Sequence, residues 1–161
     1  MYSPTDGLTG PIRGRITGAH APSSEADAEY LVLGGGHLGA AIAGLLHADG
    51  RSVRLVDETH DSTDVPGVQG RPDDPSVLDR VGVSDTSRVV VATPRDSRNL
   101  LIAQLVKTRF GVLETFVVVN APERRAVVAE AGHRPVCVTR ALSETVVGQL
   151  ASTTTDGDSI A

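Results

Sequence analysis

One cysteine, one lysine and no tryptophan occur in a chain of 161 residues, and Tyr and Phe contribute two residues each. Each scarcity argues against something. A lone Cys137 forms no internal disulfide and builds no cysteine-rich zinc site. So few aromatics make no platform for base stacking, and a net charge of −5 offers nothing to a phosphate backbone, so no nucleic-acid partner is expected. No apolar run approaches the ~18 residues that a membrane-spanning helix needs. Residues 1–10 lack the basic-then-apolar order of a secretory signal.

What is present suffices for one domain of ordinary size. Hydrophobic residues make up 40% of the chain and charged residues 22%, enough for a packed core beside a soluble surface. Arg supplies 14 of the 15 basic residues and Asp 13 of the 20 acidic ones. That balance suits either a GC-rich genome or a salt-loaded cytoplasm, and a charge of −5 does not decide between them.

Residues 1–28 are rich in Gly, Pro, Ser, Thr and Ala without an apolar period, and read as a flexible arm. Residues 152–161 read as a polar tail. Between them, residues 29–151 alternate short Val-rich runs with helical patterns, the signature of a parallel α/β sheet. Strands are expected at 30–34, 52–57, 65–69, 88–93, 115–120 and 135–139. A helix carrying Leu38, Ala41, Ile42, Leu45 and Leu46 on one face follows the first strand and stops at Gly50. Asp74 and Pro75 open a short helix that Gly82 closes. Asp96 or Ser97 is the expected cap of the helix bearing Leu100, Leu101, Ile102, Leu105 and Val106. Helices over 122–131 and 141–150 complete a three-layer, Rossmann-like doubly wound fold of about six strands, in the expected order 3-2-1-4-5-6.

Gly34, Gly36 and Gly39 fit the pattern G-x-G-x-x-G. In that pattern the first glycine makes the tight turn, the second lets a pyrophosphate reach the backbone, and the third lets helix and strand pack closely. Free N–H groups at the helix start then hold the phosphates. The motif alone is weak, but here it follows a strand, opens a helix, and has Asp57 ending the second strand. That acid suits the two ribose hydroxyls and repels a 2′-phosphate, which favours NAD- or adenosine-type ligands over NADP. The bland alternative is a glycine turn made for packing, with Asp57 a solvated strand end.

Taken together, several motifs resemble one family. These are the glycine loop, the acid after strand two, Gly70-x-x-x-Asp74-Pro75, Ala92-Thr93 with Asn99-Leu100-Leu101, and Asn120-Ala121-Pro122-Glu123. The set is similar to the TrkA-N family, the nucleotide-binding half of RCK (regulator of potassium conductance) domains, over residues 30 to about 150. The resemblance implies NAD(H), with ATP or ADP as the other candidates, held by Gly34, Gly36, His37, Leu38, Gly39, Asp57, Gly70, Arg71, Ala92, Thr93 and Asn99. It further implies a homodimer or larger ring, made by the helix after the last strand. A potassium transporter or channel of the Trk/Ktr type would be the membrane partner, placing the chain in the cytoplasm or peripherally at the inner membrane face. The sequence departs from the family pattern in three places. Arg71 stands where an adenine-binding Asp is usual, and His37 and Val118 stand where phosphate-neutralising arginines are frequent. The segment between Asp57 and Gly70 is also short, so no helix is expected there. Arg95 and Arg98 either restore positive charge or are solvated residues at a helix start.

The other chemistry-bearing residues point nowhere as clearly. Five histidines lack paired ligand spacing, and His60 with Asp57, Glu58, Asp61 and Asp64 reads as a solvated acidic loop before a cation site. Cys137 reads as a buried, inert thiol. No nucleophile elbow occurs. The expected function is thus a non-enzymatic, nucleotide-sensing regulatory subunit. The alternatives are an NAD-dependent oxidoreductase fragment, which would need a substrate domain that 161 residues leave no room for, and a degenerate adaptor that binds no nucleotide.

Overall fold

The computed structural model describes residues 28–61 and 64–155. Most of the expected arm and the outer part of the expected tail therefore lie outside the described residues.

Six strands, β1 (Tyr30–Leu33), β2 (Val53–Asp57), β3 (Gly67–Gln69), β4 (Arg88–Val91), β5 (Glu114–Val119) and β6 (Arg134–Cys137), form one parallel sheet in the order 3-2-1-4-5-6. Five helices accompany them: α1 (Gly36–Ala48), α2 (Pro75–Val81), α3 (Asp96–Phe110), α4 (Arg125–Glu130) and α5 (Val138–Thr155). Strand order reverses between β1 and β4. Their following loops diverge there and open a crevice at the carboxyl ends of the strands.

Alternation along the strands divides the core between two faces. Leu31 and Leu33 of β1 pack with Val89 and Val91 of β4 and with Leu78, Ile102 and Val106 of α2 and α3. Val32 points the other way, onto Ala43 of α1 with Val53, Leu55 and Val65. Right-handed crossovers put α2, α3 and α4 on the first face and leave α1 on the second. Among the described residues no helix lies between β2 and β3, in keeping with the short segment there. Val90 of β4 is only partly buried, on the face that α1 covers, so this apolar run is not covered equally on both sides.

Local signals explain most boundaries. Asp74 caps α2 by accepting from Ser76 N at 2.9 Å, Pro75 takes the first helical position, and Gly82 ends the helix at φ 78°. Four expectations shift. The buried side of α1 is Gly39 and Ala43 with Ile42 and Leu46 beside them, while Leu38, Ala41 and Leu45 are exposed. Small residues let this helix lie close to the sheet, which a count of large apolar side chains misses. Neither Asp96 nor Ser97 caps α3, whose cap is Arg95 without a side-chain bond. The Asp96 carboxylate instead accepts from the N–H groups of Asn120 and Ala121, at 2.8 and 2.9 Å, and so fastens the loop after β5 to the loop after β4. Residues 122–131 divide into a 3-10 turn (Pro122–Arg124) and the short α4. Finally, α5 begins at Val138 and reaches Thr155, absorbing the end of the expected last strand and the start of the expected tail. Among the described residues no helix is long and apolar enough to cross a membrane.

Candidate functional site

Three successive glycines after β1 do different work. Gly34 takes φ 84°, and a side chain there would collide with the Thr93 methyl carbon. Gly35 takes φ −127° and ψ −98°, outside the helical and extended regions, and a Cβ on it would occupy the place of the Asp57 carboxylate. Gly36 takes φ 53° and faces open space, with nothing within 4 Å of a would-be Cβ. Gly39 lies against the Gly34 carbonyl, so only hydrogen fits between helix and loop. Gly34 and Gly39 therefore take the turn and packing parts of the pattern and Gly36 leaves its surroundings open, with a further constraint at Gly35 that G-x-G-x-x-G does not contain. The unbroken Gly34-Gly35-Gly36 run was the available signal.

Asp57 closes this cradle. Its Oδ2 accepts from Gly36 N at 3.2 Å, and Oδ1 accepts from the Thr59 N–H and hydroxyl, both at 2.7 Å. Partial burial alone would push the carboxyl up. The donors from Thr59, Gly36 and Gly35 outweigh that and hold it below its ordinary value, as a carboxylate at neutral pH. His37 and Leu38 supply the next N–H groups of α1, in the first turn, where no intrahelical acceptor exists. Both side chains are exposed.

The loops after β2, β3 and β4 complete the crevice. Gly70 N donates to the Asp57 carbonyl at 3.0 Å, which ties β3 to β2, and its missing Cβ leaves room for Val77. Arg71 is largely exposed and forks onto Asp73 with bonds of 3.2 and 3.0 Å. Arg98 bridges the crevice, donating to Glu58 on one side and to Asp73, at 3.1 Å, on the other. The hydrogen bond from Arg71, with a second from Arg98, keeps the Asp73 carboxyl far below the usual carboxylate range. Asp73 carries no signal of its own in the sequence, and Glu58 reads there only as part of an acidic loop, since 40 residues separate it from the arginine that gives it meaning. Of the two arginines expected to add charge, Arg98 is thus already balanced. Arg95 is exposed and makes no side-chain ion pair among the described residues.

Asn99 is a correction. It is fully buried, with Oδ1 accepting from the Thr93 N–H and hydroxyl and Nδ2 donating to the carbonyls of Thr93 and Val118, both at 2.9 Å. It holds the β4 loop onto β5 and presents no atom to a ligand. Ala92 is likewise buried, while Thr93 contributes to the crevice wall. Val118 is buried, so β5 projects no cation at that position. Cys137 is free and buried, at the end of β6. The described residues hold no group of three or more His, Cys, Asp or Glu placed to share a metal ion.

The crevice has two lobes and a neck. A lobe of about 760 Å³ lies among Glu58, Arg71, Asp73, Thr93, Arg95 and Arg98. Another of about 400 Å³ lies beside Gly36, His37, Asp57 and His60. A neck of about 170 Å³ passes over Gly34, Gly35 and Gly36 and shares lining with both. A glycine loop opening a helix, a carboxylate at the end of β2 and a crevice at the switch point together define a Rossmann-like, NAD(P)-type nucleotide fold.

The TrkA-N domain family model matches residues 30–139, and the chain belongs to that family. Solved structures with the same fold include the NAD(P)-binding domain of an exopolyphosphatase-related protein from Archaeoglobus fulgidus. It is 23% identical, with 78% of this chain and 98% of that chain covered and a TM-score of 0.69. The TrkA-N domain of the inner membrane protein YbaL from Escherichia coli is 15% identical, with the same coverage and a TM-score of 0.68. GsuK bound to ADP is 21% identical over 77% of this chain, with a TM-score of 0.65, and there the match spans 34% of the GsuK chain. At such identities the likeness is one of fold. No curated protein matches the chain.

Proposed function

We propose that this chain is a non-enzymatic regulatory module that binds NAD(H) or another adenine nucleotide and governs a potassium transporter or channel of the Trk/Ktr type. The observation that carries the reading is the cradle. Gly36 leaves the pyrophosphate path open, two helix-start N–H groups lack intrahelical acceptors, and Asp57 stands one hydrogen bond away with carboxylate oxygens for a ribose. These residues fit a dinucleotide. Asp57 would take the ribose hydroxyls, and His37 and Leu38 would offer backbone N–H groups to the phosphates where Gly36 leaves them room. When bound, the nicotinamide would supply hydride chemistry. Among the described residues, the walls near Thr93 (Pro94, Arg95, Ser97, Arg98) hold no His or Lys to serve as its proton donor, and Asp96 is occupied by Asn120 and Ala121. Family membership and the ADP-bound GsuK neighbour support the nucleotide, and the TrkA-N domain of the inner membrane protein YbaL supports the membrane partner.

A regulator works by binding two arrangements unequally. The long α5, whose Leu142, Val147 and Leu150 are 61%, 64% and 65% exposed, is the element through which a homodimer or ring would feel occupancy. Light scattering and limited proteolysis, with and without saturating NADH, test this. A ligand-dependent change in oligomer, or in cleavage along α5, is expected. A full-length chain that stays monomeric and digests identically with and without ligand contradicts it. So does steady NADH oxidation that depends on one defined substrate.

A further inference from the structure

We propose that Arg98 is an ionic strap across the crevice: its bond to Glu58 holds the empty site closed where the neck meets the large lobe, and an entering ligand must break it. The inference rests on the nucleotide reading above and concerns access to that site, whatever nucleotide it takes. Position is the first support. Arg98 stands in the first turn of α3 and reaches Glu58, after β2, and Asp73, between β3 and α2. Glu58 and Arg98 line the large lobe and the neck alike, together with Thr93 and Pro94. Their bond therefore lies on the boundary of the two spaces, beside a neck of only about 170 Å³.

The second support is that the closed arrangement has one weak limb. The side chains of Arg98 and Asp73 are mostly buried, 27% and 15% exposed, and Arg71 also grips Asp73 with bonds of 3.2 and 3.0 Å. Glu58, by contrast, is 49% exposed where it pairs with Arg98. That limb is open to water, where ion pairs are weak and screened by salt. The closed arrangement also carries a cost. Arg98 Nε is buried without a hydrogen-bond partner, a donor left unsatisfied in a guanidinium that has five N–H groups to place. Once Glu58 lets go, the guanidinium is free to turn and bring Nε to water or to an incoming anion. Asp73 keeps Arg71 when Arg98 turns away, so opening leaves no buried carboxylate unpaired. The strap is thus easily opened and sensitive to ionic strength.

Calorimetric titration of the full chain with NADH tests the proposal, at about 0.1 M and about 1 M NaCl, where charges are felt over roughly 10 and 3 Å. The wild type is compared with the double variant Glu58→Gln, Arg98→Met, which removes the strap without changing net charge. Thermal unfolding checks that the variant folds. At the lower salt the variant should bind NADH about three- to fivefold tighter than the wild type, the scale of a partly exposed ion pair. At the higher salt the two should converge, since salt then opens the wild type as well. Hydrogen exchange of the ligand-free proteins is the second arm. Amides of residues 58–60 and 71–74 should exchange faster in the variant at the lower salt and alike at the higher. Equal affinities at the lower salt, or a gain that survives the higher, overturn the strap and leave nucleotide binding intact. Identical exchange in the two proteins at the lower salt does the same. Absence of NADH binding by both overturns the proposed function, and the strap's part in it as well.

Discussion

Two polar clusters sit at the carboxyl ends of the same sheet, only a loop apart, and they are built on opposite terms. Around Asn99, every side-chain polar atom is buried and paired within the chain, to Thr93 and to Val118. Around Asp57 and Arg98, the side chains are charged and partly exposed, Asp57 held by Gly36 and Thr59 and Arg98 by Glu58 and Asp73, with partners from the loops after β1, β2 and β3. Saturated and dry, the first can only hold structure. Solvated and exchangeable, the second can trade its internal bonds for those of a ligand, because exposed ion pairs contribute little to stability and are cheaply reopened. Residue type alone does not distinguish the two, since both are sets of polar residues following Val-rich strands.

The largest effect should come from breaking the dry cluster. Asn99→Ala leaves buried groups of Thr93 and Val118 unpaired and should cost about 3 kcal/mol or more of unfolding free energy, measurable by urea denaturation. A loss under ~1 kcal/mol would mean that water replaces the amide and that the site is wetter than its burial indicates.

Within the glycine loop the same contrast reappears at two positions. Gly39→Ala drives a Cβ into the Gly34 carbonyl and should cost about 1–3 kcal/mol, because backbone cannot step aside. Gly36→Ala meets nothing, and its φ of 53° alone should cost about 1–2 kcal/mol. It should nevertheless weaken NADH binding more than Gly39→Ala does in whatever fraction stays folded. Thermal unfolding paired with titration separates the two effects, and equal losses of affinity would contradict the division of labour.

A smaller effect concerns a buried polar group that is not satisfied. His133 is buried beside Lys107, and its Nε2 has no hydrogen-bond partner. Burial, with a lesser push from Lys107, lowers its basicity in the fold. The unfolded chain therefore takes up the proton first. The contribution of neutral His133 is complete above the unfolded value of about 6.5, and is lost as pH falls from there through the lower folded value. Over that window the wild-type unfolding midpoint should drop more steeply than that of His133→Gln. Parallel profiles would show that the imidazole titrates freely.

Much of the fold was legible because β1, β4 and β5 announce themselves as apolar runs and because Gly82, Gly111 and Gly132 end helices in left-handed backbone. What failed was decided by tertiary contacts that local signals do not encode. Val138 and Thr139 are β-branched and read as strand, yet they open α5, where chain direction rather than propensity decides. Asp96 has the right chemistry for a cap but finds better donors at Asn120 and Ala121, which lie 24 and 25 residues away. The site divides along the same line. Gly34, Gly36, Gly39 and Asp57 lie within one βαβ unit and could be read from their spacing. The Glu58, Arg98 and Asp73 bridge and the burial of Asn99 depend on contacts between separate loops, which no spacing encodes.

In the proposed function the exposed cluster binds a nucleotide with its ribose on Asp57. Side-by-side calorimetry of NADH and NADPH against the wild type and Asp57→Asn tests it most directly. NADH should bind the wild type about tenfold or more tighter than NADPH, because the 2′-phosphate would meet the carboxylates of Asp57 and Glu58. Asp57→Asn should shrink that preference toward unity. Equal affinities in the wild type, or a preference that survives Asp57→Asn, would contradict the account.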